Sequence, residues 1–176
     1  MARDYFINGE SLVKVSNQAI GGVQELGLTD SPIQLSFQPH HMDIRVDAMG
    51  GQVPPDIQFM SMEARISMSL IHFDLSVLNA CISASNAGGG LGTMPRAGSL
   101  MGGGVALGAA GNNYITVGIT SPVAANPFKF YACYLTDYPW PLGTEKSVVH
   151  ITWRAIAYAV DPQTALGVVV WDNSSM

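Results

Sequence analysis

The chain has 176 residues, of which 12% are charged and 48% hydrophobic, and carries a net charge of −5 with a sequence pI near 5.1. That length suits one domain, residues 1–176, able to bury roughly 70% of the surface its unfolded form exposes, so neither metal nor disulfides are needed to hold a core. The eight Lys and Arg stand singly from Arg3 to Arg154, which argues against a nucleic-acid binder with a basic patch to replace phosphate counterions.

The N-terminal residues 1–10 lack the apolar run of a signal peptide and read as a short arm. Strands are expected at Leu12 to Val15, Ile33 to Phe37 and Ile44 to Val46, separated by Gly21-Gly22, Asp30-Ser31-Pro32 and Gln38-Pro39. From Gln58 to Leu70 the alternation is sustained: Met60, Met62, Ala64, Ile66, Met68 and Leu70 share one parity, and Ser61, Glu63, Arg65, Ser67 and Ser69 the other. Period two over that length predicts a strand with one buried and one wet face. Asp74 then stands as an N-cap before Leu75, Leu78, Cys81 and Ile82, whose spacing predicts a helix ending near Ser85-Asn86.

Residues 86–111 are dense in glycine and carry a single charge, Arg96. Leu91, Met94, Leu100, Met101, Val105 and Leu107 interrupt the glycines, which a loop meant to stay solvated would not carry. The segment reads as an arm that orders against a neighbouring subunit. Glycine clusters, Pro95, Asn112-Asn113 and Pro122 also break the apolar stretch from Leu75 to Phe128, so no run of about 20 residues is left to cross a membrane as a helix. Further strands are expected at Tyr114 to Ile119, at Phe128 to Leu135 and at Val148 to Val160. Ala165 to Trp171 closes a C-terminal hairpin through the turn Asp161-Pro162-Gln163.

The fold class is therefore mainly β with one helix. Charge at 12% is about half the usual share for a soluble domain. Much of the surface must then be neutral or apolar, and the economical consequence is burial against further copies in a homo-oligomer.

Catalytic chemistry is hard to find. His40 and His41 are adjacent, so on a strand they point to opposite faces and do not share an ion. The segment Ala97-Gly98-Ser99-Leu100-Met101 lacks the second glycine of a nucleophile elbow. Gly88-Gly89-Gly90-Leu91-Gly92 follows a helix instead of opening one, the wrong context for a dinucleotide fingerprint, and no phosphate-loop lysine follows the glycines. Cys81 and Cys133 fall at core positions and are expected to be reduced, buried and inert. Asp43, Asp47 and Asp56 flank a Gly/Pro turn, where aspartate caps its own backbone. No catalytic residue, cofactor or metal is assigned, and the chain reads as a non-enzyme.

Two stretches carry a resemblance. One runs Asp43-Ile44-Arg45-Val46-Asp47-Ala48-Met49-Gly50-Gly51-Gln52-Val53-Pro54-Pro55-Asp56-Ile57 into Glu63-Ala64-Arg65-Ile66; the other is Pro141-Leu142-Gly143-Thr144-Glu145-Lys146 before the strand from Val148. With the helix between them, this layout resembles the tail tube proteins of long-tailed bacteriophages. The resemblance implies a β-sandwich or small barrel with one flanking helix. It further implies hexameric rings stacked into a tube, a place in the virion tail after assembly in the host bacterial cytoplasm, and DNA that passes without specific binding. Sheath, terminator or baseplate proteins would be its partners, and no membrane is involved. Subunit contacts are expected at the turn, Asp47, Gly50, Pro54 and Asp56, and on the glycine-rich arm, Leu91, Met94, Leu100 and Met101. Alternatives are a neck, terminator or capsid-decoration subunit, a small-molecule-binding or hydrolytic β-barrel with His72 or His150 inside, and an adhesive β-sandwich.

Overall fold

The computed structural model describes residues 3–7, 10–30, 32–44, 56–85, 112–121, 127–137, 148–156, 158–159, 168–169 and 171–172. Within these, the chain is mainly β and antiparallel. Its strands are β1 (Arg3–Ile7), β2 (Leu12–Asn17), β3 (Gly22–Thr29), β4 (Ile33–Ile44), β5 (Asp56–Phe73), β6 (Ile115–Thr120), β7 (Phe128–Asp137), β8 (Val149–Ala155), β9 (Tyr158–Ala159), β10 (Val168–Val169) and β11 (Trp171–Asp172). A single helix, α1 (Leu75–Ser85), lies between β5 and β6.

Alternation places the core. In β2, Val13, Val15 and Asn17 are buried while Leu12, Lys14 and Ser16 are not. In β5, Ala64, Ile66, Met68 and Leu70 are buried, as their shared parity predicts, but the pattern fails at the start of the run: Met62 is only partly buried and Met60, at the register shift with β4, is 50% exposed. Leu35, Ile66, Trp153 and Leu135 stand opposite one another in four consecutive strands and are all buried. Each such side chain contributes about 1.5–3 kcal/mol by leaving water.

The pairings form a closed circuit. β5 pairs with β3, β3 with β2, β2 with β6, β6 with β7, β7 with β8, and β8 returns to β5. β4 adds to β5 outside this circuit and β1 adds to β4, completing nine strands with β11 on β7. β9 and β10 pair antiparallel, as the expected C-terminal hairpin requires, but the strand expected from Val148 to Val160 is not continuous: β8 ends at Ala155 and pairs with β5 and β7, and Ile156 belongs to no strand. Helix α1 begins as read from the sequence: Asp74 Oδ1 accepts from the backbone N–H of Ser76 at 2.8 Å and of Val77 at 3.2 Å. Its buried face is Val77, Leu78, Cys81, Ile82 and Ala84, packed on β7, β3 and β6. Leu75, counted on that face by spacing, is 52% exposed although Val77 and Leu78 of the same turn are buried.

Four further expectations are corrected. The N-terminal arm contains a strand, β1, paired over five residues with β4. A strand was also missed at β3, where Gln24 and Glu25 sit exposed near Val23 and blur the alternation. Gln38-Pro39 does not separate two strands, since β4 runs through it. Pro39 stands opposite Met62, past Phe37, the last residue of β4 paired with the described part of β1, so its missing N–H interrupts no described pairing to β1. In β7 the sequence alternates Phe128, Phe130, Ala132 and Tyr134 against Lys129, Tyr131, Cys133 and Leu135, but the burial switches parity part-way: Phe130, Ala132, Cys133 and Leu135 are buried, and Tyr134 is not. Ala132 adopts a φ of 47°, a local kink that shifts the parity by one. Val46, the Asp161-Pro162-Gln163 turn and residues 86–111 lie outside the described residues. So do seven of the contact candidates: Asp47, Gly50, Pro54, Leu91, Met94, Leu100 and Met101.

Candidate functional site

Two features of the described surface could do something: the wet face shared by β4, β5 and β8, and the ribbon that β4 and β5 form beyond it. On the wet face, register alone sets the neighbours. Ser36, Arg65, Arg154 and Tyr134 form one row across four strands, and Gln34, Ser67 and Thr152 form another. Directly opposed side chains on antiparallel strands come within hydrogen-bonding reach, and Ser67 Oγ lies 3.3 Å from Thr152 Oγ1.

Ser69 and His150 are opposed in the same way, with Ser69 Oγ 2.6 Å from His150 Nδ1. They border an open groove of about 320 Å³ lined also by Pro32, Gln34, Ser67 and Thr152. A hydroxyl beside an imidazole has the outline of a nucleophile and its base, yet such a pair needs a third group to orient the ring. Among the described residues no carboxylate comes within ion-pair distance of His150. Strand register accounts for the contact in full.

The remaining titratable groups do not converge. His72 and His150 are both exposed, so neither lies inside the closed circuit, where a barrel-type binding site would need it. Among the described residues, no three His, Cys, Asp or Glu side chains gather where an ion could sit. His40 approaches Glu63, at 3.9 Å. Cys81 and Cys133 are buried free thiols, as expected; burial pushes Cys81 up to about 12 and Cys133 further still.

One charged cluster was missed from sequence. Glu63 is only 8% exposed although it belongs to the wet parity of β5. Its Oε2 accepts from Arg154 at 2.6 Å and its Oε1 from Arg65 Nε at 3.5 Å. Burial alone would raise its carboxyl, but the hydrogen bonds and charges of Arg154, then Arg65, outweigh burial and hold it below its ordinary value. Arg154, hydrogen-bonded to Glu63 and standing over the Tyr134 ring at 6.0 Å, is held correspondingly more firmly charged. The Glu63/Arg65 alternation is visible in sequence, whereas Arg154 lies 91 residues away from Glu63 and only strand pairing brings it in.

Beyond this cluster, β4 and β5 continue as a pair. Among the described residues, β1 pairs as far as Phe37 and β8 as far as Ala64, whereas β4 and β5 remain paired out to Ile44 and Asp56. A register shift falls between His40 and His41. Past it the ribbon carries Met42 and Ile44 on one face and Ile57 on the other, with Met60 at the shift itself; they are 48%, 37%, 58% and 50% exposed. Large apolar side chains grouped at one end of a molecule mark an interaction surface more often than scattered ones do. Asp56, the one contact candidate within the described residues, is the first residue of β5 and faces Ile44 in the register.

No helix among the described residues is long and apolar enough to cross a membrane. In comparisons with known proteins, the chain matches no family model and no curated protein.

Proposed function

We propose that this chain is a structural subunit without catalytic activity, which assembles with copies of itself into stacked hexameric rings forming the DNA conduit of a bacteriophage tail. The observation that carries the self-assembly is the β4–β5 ribbon, whose end groups Met42, Ile44, Ile57 and Met60 in water on a chain with 12% charged residues. Contact between copies removes that apolar surface from solvent and satisfies strand edges that otherwise invite uncontrolled pairing. The closed circuit of strand pairings fits the small barrel with a flanking helix that such a subunit requires. Scarce cations suit a conduit, since a wall that does not pair with phosphates lets DNA slide. The assignment to a phage tail rests on the resemblance of residues 43–57, 63–66 and 141–146.

The test is the mass of the purified chain in solution, followed by negative-stain imaging of the same sample. Rings or tubes with an open channel are the expected result, together with their loss when Gly88 to Gly104 is deleted. A chain that stays monomeric at high concentration refutes the self-assembly. Trimers that add only to a preformed shell point to the decoration reading.

A further inference from the structure

Glu63 occupies the row at which the sheet becomes a ribbon. The row before it crosses six strands, β1, β4, β5, β8, β7 and β6, where Arg3, Phe37, Ala64, Ala155, Cys133 and Ile115 stand in line. One residue further out, Glu63 faces Gln38, and the described strand pairings then join β4 only to β5. A carboxylate is rarely buried without partners, and here three side chains from three strands surround it. Arg154 comes from β8 at 2.6 Å, Arg65 from β5 itself at 3.5 Å, and His40 from the outgoing part of β4 at 3.9 Å.

We infer that Glu63 is a latch that fastens the root of the ribbon to β8 and so keeps the ribbon ordered independently of the core. A two-stranded ribbon has little stability of its own, while charge-assisted hydrogen bonds are among the strongest polar contacts available at its base. The fixed side of the latch belongs to the body of the fold: Arg154 is opposed to Arg65 and Tyr134 in the register, and its guanidinium lies over the Tyr134 ring. The moving side is the pair of strands on which Glu63 and His40 sit. Arg65, Arg154, His40 and Tyr134 are the charged or titratable groups of the cluster among the described residues, so loss of the Glu63 charge removes the one counterion that these residues give the two guanidinium groups. The inference concerns order within one subunit and stands whether or not the chain builds a tube.

Hydrogen exchange read by mass spectrometry on the whole chain tests it, comparing Glu63→Gln with the parent protein in the same oligomeric state. The substitution keeps the size of the side chain and removes its charge. The latch predicts exchange faster by roughly tenfold or more in residues 38–44 and 57–62, with β2, β6 and α1 unchanged. Equal acceleration of ribbon and core overturns the inference, because it would make Glu63 an ordinary contributor to global stability; an unchanged ribbon overturns it too. Should Glu63→Gln fail to fold, Arg154→Lys keeps the charge but loses the planar fork. It should produce a smaller acceleration confined to the same segments, and acceleration in the core instead counts against the latch.

Discussion

Closure of the strand circuit depends on one glycine. β3 meets β5 through only three pairs, Gly27 with Phe73, Leu28 with His72 and Thr29 with Leu70. At Gly27 the backbone has a φ of +154°, and a Cβ placed there would stand 1.9 Å from the His72 carbonyl oxygen and 2.8 Å from Phe73 Cα, against 3.4 Å or more for an ordinary contact. Both obstructing atoms are backbone, so no side chain can swing aside. Gly27→Ala must push β3 off β5 at this corner. The loss comprises the pairing hydrogen bonds, about 1 kcal/mol each, and overpacking of about 1–3 kcal/mol, and we expect destabilisation of about 3–5 kcal/mol. In a chain of this size that lowers the melting temperature by roughly 6–20 °C. Gly22→Ala is the control: φ is +97° there, but nothing lies within 4 Å of the added carbon, so only the backbone strain of about 1–2 kcal/mol applies. Urea denaturation followed by circular dichroism, at a concentration where both variants have the same mass, measures the difference. A Gly27→Ala protein no less stable than Gly22→Ala would refute the close approach of β3 to β5.

The other expectations rest on separate parts of the molecule. Trp153 is fully buried between Ile66 and Leu135; Trp153→Ala should cost about 3–5 kcal/mol in the same denaturation assay, and a cost under 1 kcal/mol would remove it from the core. Buried and with raised thiol values, Cys81 and Cys133 should resist a thiol reagent in the folded protein at neutral pH and react on unfolding, so labelling of the native chain at the rate of a free thiol contradicts their burial. Glu63 should contribute about 1–3 kcal/mol relative to Glu63→Gln at neutral pH. Because its folded carboxyl is held below its ordinary value of 4.5, that difference should be fully present above the ordinary range and fade as acid titrates the group through its lowered value; a difference that grew on acidification would reverse the sign of the argument. Met42→Lys with Met60→Lys should weaken self-association without lowering the melting point of the subunit, since both side chains are about half exposed; unchanged assembly by sedimentation would show that this end of the ribbon makes no contact.

Periodicity carried much of the fold at the level of sequence. The parity of residues 64–70 in β5 assigned the buried face correctly because alternation is a local property of an extended chain. Asp74 and the spacing of Leu75, Leu78, Cys81 and Ile82 located α1 and its start, and three of those four residues are buried, Leu75 being the exception.

What sequence left open is non-local. Pro39 reads as a break until it is seen to stand past Phe37, the last residue of β4 paired with the described part of β1, where a missing N–H is tolerated. The parity of β7 turns on one kinked residue, Ala132, that no pattern announces. Glu63 reads as one more solvated charge of a wet strand face, and it becomes a buried, paired carboxylate only when β8 delivers Arg154 from 91 residues away. Alternation tells which side of a strand faces inward; it does not tell which strands lie side by side, because pairing is decided by the joint burial of distant segments against the entropy of closing the chain between them.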